Sequence, residues 1–337
     1  MNLSSIKQSL KKISVVLLAT VVVLLIAELS LRQFSPKHYP IIPAAYEYDP
    51  DLAFRLRPAT HLYKTTDFQQ ESVSNRLGTA NFQENFDGYE SLVFTVGDSY
   101  TQGTGLPADM SYPSQLDLIL NQEEQGFYVK KFGVVNLGVA GFGGEQELTS
   151  LHRWTKQLRP PSVILYLGCD NDFVDDLAFR SGERHKTVLA GSPVWGSMTR
   201  PLRFILERSQ IGFRVRAALQ ERTRRRLSEQ AFAQMDGRPS MAELESSVLE
   251  RLASFAREHG SVLVVSWSDE GDSYHWLKSW ASRSGISFAD WAPKVNSVKT
   301  AMPALSLDNP HSAGHHRGWV NRLIAEEFAR QIQTQKR

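Results

Sequence analysis

The first hydrophobic block of the chain has no polar face. "ISVVLLATVVVLLIA", Ile13 to Ala27, runs without a charge, Glu28 interrupts it, and "LSL" follows before Arg32. A core helix of a globular domain is normally apolar along one stripe only. Counted through Leu31, the block is about 19 residues, roughly 28 Å as a helix, which matches the hydrocarbon core of a bilayer. Lys7, Lys11 and Lys12 precede it. That charge bias predicts a cytoplasmic N-terminus, with everything after Arg32 outside. A cleaved signal peptide is the alternative, although no small-x-small cleavage site follows Ala27. Glu28 and Arg32, four residues apart, are spaced to pair at the far interface.

Beyond the anchor the pattern changes twice. "SPKHYPIIPAAYEYDP" is rich in Pro and Tyr and reads as an extended linker, and residues 51 to 90 show no strong periodicity. Alternation then begins. "SLVFTV" reads as a buried strand and "SYPSQLDLILNQ" as a helix; "FYVKKFGVVNLG" is a second strand region and "GEQELTSLHRWTKQL" a second helix. "SVILYLG", "SVLVVSWS" and the shorter "GISFADW" supply three more strands, and "HHRGWVNRLIAEEFARQIQ" a closing amphipathic helix. Strands alternating with helices predict a parallel sheet covered on both faces. The expected organisation is an anchor over 1–35, a linker and covering segment over 36–90, and an α/β domain over 91–330. That domain carries a helical insertion at about 177–258. No internal repeat is present.

Composition adds exclusions. With 42% hydrophobic and 22% charged residues the chain is ordinary globular material. A formal net charge of +2 gives no general case for nucleic-acid binding. The single cysteine, Cys169, excludes an intramolecular disulfide framework and a Cys-rich metal site, and suits an exported protein. The basic run "ERTRRRLSEQ" in the insertion reads as a solvated helix face, with anionic lipid headgroups or an acidic polymer as the alternative contact.

Four polar blocks fall where strand ends are expected: "GDS" after "VFTV", "NLGVAGFGG" after "GVV", "GCDND" after "VILYL", and "DNPHSAGHH" before the closing helix. Polar residues at successive strand ends converge on one rim of such a sheet. Together they contain the parts of an acyl-transfer site. Ser99 is the candidate nucleophile, which needs an adjacent base. His311 is the candidate base and Asp308 the group that orients it, with His315 a rival for the base. The backbone N–H of Ser99, that of Gly141 and the side-chain amide of Asn171 are candidate oxyanion donors.

These blocks resemble the SGNH (GDSL-type) hydrolase superfamily. Its Ser, Gly, Asn and His correspond to Ser99, Gly141, Asn171 and His311 here, and Asp308 matches the acidic partner three residues before the histidine. The resemblance covers roughly residues 90 to 330. "GDSYTQGTGL", "NLGVAGFGGEQEL" and "LLIAELSLR" resemble bacterial membrane-anchored or exported members more particularly. It implies a flavodoxin-like three-layer α/β/α fold and a serine esterase acting on acyl, notably O-acetyl, esters of an envelope or secreted glycan. It implies no metal or organic cofactor. The third block departs from the usual Gly-x-Asn-Asp, because Cys169 and Asp170 both separate Gly168 from Asn171. An O-acyltransferase with the same residues and a non-catalytic assembly or binding protein remain alternatives.

Other chemistries fit less of the chain. "VILYLGCDNDFV" resembles the nucleophile motif of haloacid-dehalogenase-type phosphatases, with Asp170 and Asp172 beside magnesium, but leaves "GDS" and "DNPH" unexplained. The α/β-hydrolase elbow requires Gly-x-Ser-x-Gly, and position 101 is threonine. Asp170, Asp172, Asp175 and Asp176 read as helix-capping residues more readily than as a calcium site. His315 and His316 lack a third zinc ligand. Cys169 reads as a small buried filler, and Trp195, Trp267, Trp276 and Trp319 as packing residues.

Overall fold

The computed structural model describes residues 3–34, 45–65, 68–71, 73–121, 132–182, 209–215, 218–219, 222, 226, 241–310, 312 and 314–335. Helix α1 (Leu3–Phe34) holds the apolar block. Its Lys11–Phe34 portion has a mean hydropathy of 2.6 over its most apolar window and is long and apolar enough to cross a membrane. The side chains from Ile13 to Ile26 are largely exposed, as a lipid-facing surface requires. Glu28 and Arg32 pair as the spacing predicts, at 2.7 Å.

The stretch without periodicity contains two antiparallel hairpins. One joins β1 (Tyr46–Asp49) to β2 (Ala53–Leu56), the other β3 (Leu62–Lys64) to β4 (Gln69–Glu71). Their inner residues, among them Tyr46, Phe54 and Tyr63, bury against Val139 and Phe142 in a small second core. Arg153 clamps both oxygens of Asp49, at 2.6 and 2.9 Å, and so ties the first hairpin to the main domain. Burial of such a bidentate pair is one of the stronger ionic arrangements.

The main sheet has five parallel strands. They are β5 (Ser91–Gly97), β6 (Phe132–Asn136), β7 (Val163–Gly168), β8 (Val262–Trp267) and β9 (Ser287–Phe288), in the order β6-β5-β7-β8-β9. This is the flavodoxin-like order, whose reversal lies between β5 and its neighbours β6 and β7. Every residue of β6 and β7 is buried, which explains why they read as continuous apolar runs rather than alternating ones.

The helices between strands are α2 (Ser99–Gln102), α3 (Tyr112–Leu120), α4 (Gly144–Gln157), α5 (Asp172–Arg180), α6 (Met241–Glu258), α7 (Asp272–Ser284), α8 (Ala292–Ala301) and α9 (Gly318–Thr334). α3 packs on α9, while α4, α5 and α6 pack together as a separate group. The fold is therefore the expected α/β/α sandwich. A parallel β7–β8 pair needs a helical crossover, and α6 provides it by burying Val248, Leu249, Leu252 and Phe255. The expected insertion at 177–258 thus ends in a helix of the sandwich itself, and most of the remainder, with the run "ERTRRRLSEQ", lies outside the described residues. Trp195 does so too.

Candidate active site

β5 ends at Gly97 because a Cβ there would lie 2.1 Å from Thr101 Oγ1 and 2.7 Å from the Leu167 carbonyl oxygen. The chain turns at once into α2. Asp98 caps it, its carboxylate accepting from the Tyr100 N–H at 2.9 Å, and Ser99 is its first residue. A short helix begun by a buried capping carboxylate holds the serine at the carboxyl end of the sheet. Asp98 is 1% exposed. Burial raises its carboxyl above the ordinary carboxylate range, while the Tyr100 N–H and His315 pull it back down.

Ser99 Oγ lies 2.7 Å from Nε2 of His315 and 3.1 Å from Oδ2 of Asp98. Among the described residues, the imidazole on the serine is that of His315, the rival in the sequence reading. His311 itself lies outside the described residues. The other nitrogen of His315, Nδ1, lies 2.5 Å from the main-chain carbonyl oxygen of Ser312, with the Ser312 hydroxyl at 3.4 Å. A carbonyl only accepts, so Nδ1 carries the proton and Nε2 presents its lone pair to Ser99.

Asp308, the expected orienting residue, stands in the same loop. It is exposed, and among the described residues its carboxylate makes no hydrogen bond or ion pair. Its role is carried by its main chain: the carbonyl accepts from Ser306 Oγ at 3.0 Å and from Arg317 Nε at 2.9 Å, and the residue bridges to His316. The residue three before His315 is Ser312, so the D-x-x-H spacing of 308 and 311 recurs as S-x-x-H one turn later. Ser312 is fully buried, and its hydroxyl donates to the Thr104 carbonyl at 2.7 Å. Asn309 Nδ2 donates to the Gly105 carbonyl at 3.1 Å. Gly105 is required there, since a Cβ would come within 2.1 Å of Ser312 Oγ. The loop before α9 is thereby fastened to the turn after α2, which fixes base and nucleophile together.

Further side chains set the walls. The Tyr100 ring packs on His315, centroids 4.8 Å apart, and on His316 at 5.1 Å. His316 Nε2 donates to the Ser268 carbonyl at 2.7 Å. Cys169 is buried, which pushes its thiol far up, so it offers no thiolate.

The three expected oxyanion donors follow three adjacent strands. Ser99 follows β5, Gly141 lies in the turn after β6 with φ +80°, and Asn171 precedes α5 after β7. One N–H of the Asn171 amide donates to Asp175 Oδ2 at 2.9 Å. Its neighbours have separate tasks. Asp170 is exposed and accepts from Trp267 Nε1 at 2.8 Å, whereas Asp172 is buried and accepts from the Cys169 N–H at 2.9 Å. Among the described residues no group of three or more His, Cys, Asp or Glu side chains is arranged to hold a metal.

The sequence reading missed Ser312 and the burial of a set of carboxyls: Glu147, Asp176 and Glu245, with Asp172. Ser312 had a signal in its spacing from His315. His315 had one in standing three residues before Gly318, where packing on α3 fixes the start of α9. The carboxyls had none, since an acidic residue on an amphipathic helix reads as a solvated one.

No family model and no curated protein matches the chain. Solved structures do. A member of the lipolytic protein G-D-S-L family from Veillonella parvula is 12% identical, with 72% of this chain and 98% of that one covered and a TM-score of 0.41. TesA is 13% identical over 72% and 98%, with a TM-score of 0.40. The acetylxylan esterase Axe2 of Geobacillus stearothermophilus is 17% identical over 73% and 95%, also at 0.40.

Proposed function

We propose that this protein is a serine hydrolase that cleaves acyl esters through an acyl-enzyme on Ser99. The observation that carries the reading is the 2.7 Å contact between Ser99 Oγ and His315 Nε2, with Nδ1 held by a carbonyl. His315 takes the Ser99 proton as the oxygen attacks the acyl carbon, then returns it to the departing alkoxide. Water, activated by the same imidazole, releases the acid. The Ser312 carbonyl fixes the tautomer, a task an aspartate performs in a Ser-His-Asp triad. The backbone N–H groups of Ser99 and Gly141 and the second N–H of the Asn171 amide are the donors assigned to the oxyanion.

α1 serves as an uncleaved anchor with the remaining chain on the extracytoplasmic side. That placement favours an O-acyl, notably O-acetyl, group on an envelope or secreted glycan as the substrate.

A fluorophosphonate probe with peptide mapping tests the assignment. Labelling at Ser99 is expected in the parent chain and in His311→Ala, and is expected to vanish in Ser99→Ala and His315→Ala. Labelling that survives His315→Ala and disappears in His311→Ala would return the base to His311. A folded parent chain that stays unlabelled would remove the hydrolase reading. Turnover of an activated acetate ester that requires a sugar acceptor would make the enzyme a transferase.

A further inference from the structure

We propose that Tyr100 and Asp269 form a positioning pair for His315: the Tyr100 ring holds the imidazole toward Ser99 and attracts the charge it takes up, and Asp269 fixes that ring. The inference deepens the hydrolase reading and rests on His315 being the base.

The starting point is what Nδ1 of His315 faces. In a Ser-His-Asp triad a carboxylate stands there, and its charge stabilises the imidazolium that forms. Here Nδ1 meets the main-chain carbonyl of Ser312, which sets the tautomer but carries no net charge. Charge on the ring is then met from its other sides. Asp98 interacts with it from the turn before α2. Tyr100 is the second neighbour. Its ring centroid lies 4.8 Å from that of His315 at an interplanar angle of 47°, inside the range over which an aromatic ring attracts a cation.

The Tyr100 ring is itself held. It packs on His316 at 5.1 Å, and His316 packs on Trp291 at 5.7 Å. His316 and Trp291 are both 3% exposed. His316 Nε2 donates to the Ser268 carbonyl at 2.7 Å and Trp291 Nε1 to the Trp267 carbonyl at 3.0 Å, so this row of rings is tied to the end of β8. Asp269 follows directly. Its carboxylate accepts from Ser268 Oγ at 2.9 Å, lies 3.7 Å from His316 Nε2, and receives the Tyr100 hydroxyl. Burial, and then this carboxylate, push the phenol up, so it remains a donor. An anion accepting from the phenol leaves the ring more negative, which strengthens its attraction for a cation. Of the other described titratable groups nearby, Cys169 is kept a thiol by burial, Arg317 spends Nε on the Asp308 carbonyl, and Asp308 is exposed.

The test reads kcat and KM of the full chain in detergent, on an activated acetate ester, between pH 5 and 9. The acid limb of kcat/KM reports the base of the free enzyme. Loss of a ring that favours the charged imidazole lets the neutral base persist to lower pH. Tyr100→Leu is therefore expected to lower kcat about fivefold with KM within about twofold, and to move the acid limb down by about half a pH unit. Tyr100→Phe keeps a ring and should keep kcat within about twofold of the parent. Asp269→Asn should move the limb the same way by a smaller step. Asp269 is half-exposed, so this variant carries the test even if Tyr100→Leu does not fold. A limb at its parent position in both Tyr100→Leu and Asp269→Asn overturns the proposal, whatever happens to kcat. An equal loss of kcat in Tyr100→Phe and Tyr100→Leu overturns it too, since the hydroxyl and not the ring would be the agent. Fluorophosphonate labelling of Ser99 in His315→Ala is the separate check on the base: labelling that survives there removes the assignment on which the pair depends.

Discussion

Ser99 has one hydroxyl proton and two acceptors within reach, His315 Nε2 at 2.7 Å and Asp98 Oδ2 at 3.1 Å. The shorter contact is to His315, and the buried carboxyl beside it interacts with that imidazole. Asp98→Asn separates the two tasks of that residue, since asparagine caps a helix about as well as aspartate but carries no charge. A loss of about tenfold in kcat is expected, the equivalent of ~1.4 kcal/mol, with an unchanged circular dichroism spectrum. Asp308→Asn should leave kcat/KM within about twofold, because an exposed carboxylate with no ionic partner among the described residues contributes little. Ser312→Ala keeps the carbonyl that holds Nδ1 but abandons the Thr104 carbonyl, so a modest fall in kcat with KM unchanged is expected from steady-state kinetics.

At the scale of elements, the site depends on how α9 is seated. Asn321 lies on its first turns, buried, and Oδ1 accepts the Tyr112 N–H at the start of α3, at 3.1 Å. Tyr112 stacks on Phe328 with centroids 5.4 Å apart. His315 is three residues before α9, so a shift of this helix moves the base. Asn321→Leu should cost about 1–3 kcal/mol, as a buried N–H loses its partner, measured by urea unfolding. Activity should fall further than stability alone predicts. The same variant with its α3 contact restored by no other group cannot keep both, and unchanged kcat would separate α9 seating from catalysis.

The whole molecule carries an acidic interior. Glu147, Asp172, Asp176 and Glu245 are buried, and both oxygens of Glu147 and of Glu245 make no hydrogen bond among the described residues. Burial raises all four, Asp176 to about 7 and Glu245 to about 8. The folded chain then holds protons that the unfolded chain releases near its ordinary carboxylate values of about 4. Stability is fully present below those values and falls as pH rises through 7 to 8. Thermal melts between pH 5 and 9 should show a falling midpoint, and Glu245→Gln should make the decline shallower. A midpoint that stays flat over this range would mean that these carboxyls are ionised in the folded state.

The sequence by itself determined the strands of the main sheet and most of the helices that cover it. Runs such as "SVILYLG" and the uncharged stretch from Ile13 to Ala27 carry their burial or membrane preference in composition, and "GDS" carries its own turn. Ser99, Gly141 and Asn171 were legible as residues at strand ends, because strand ends in a parallel sheet share a rim whatever the loops do. The choice of imidazole was not legible. His311 and His315 stand four residues apart in one polar loop, with Asp308 and Ser312 each three residues upstream. The seating of α9 on α3, with Ser312 Oγ on the Thr104 carbonyl and Asn309 Nδ2 on the Gly105 carbonyl, places the His315 ring at Ser99. The buried carboxyls and the meeting of Tyr100 with Asp269 belong to the same class. They join residues far apart in the chain, and a pattern of neighbouring residues holds no record of what packing brings across that distance.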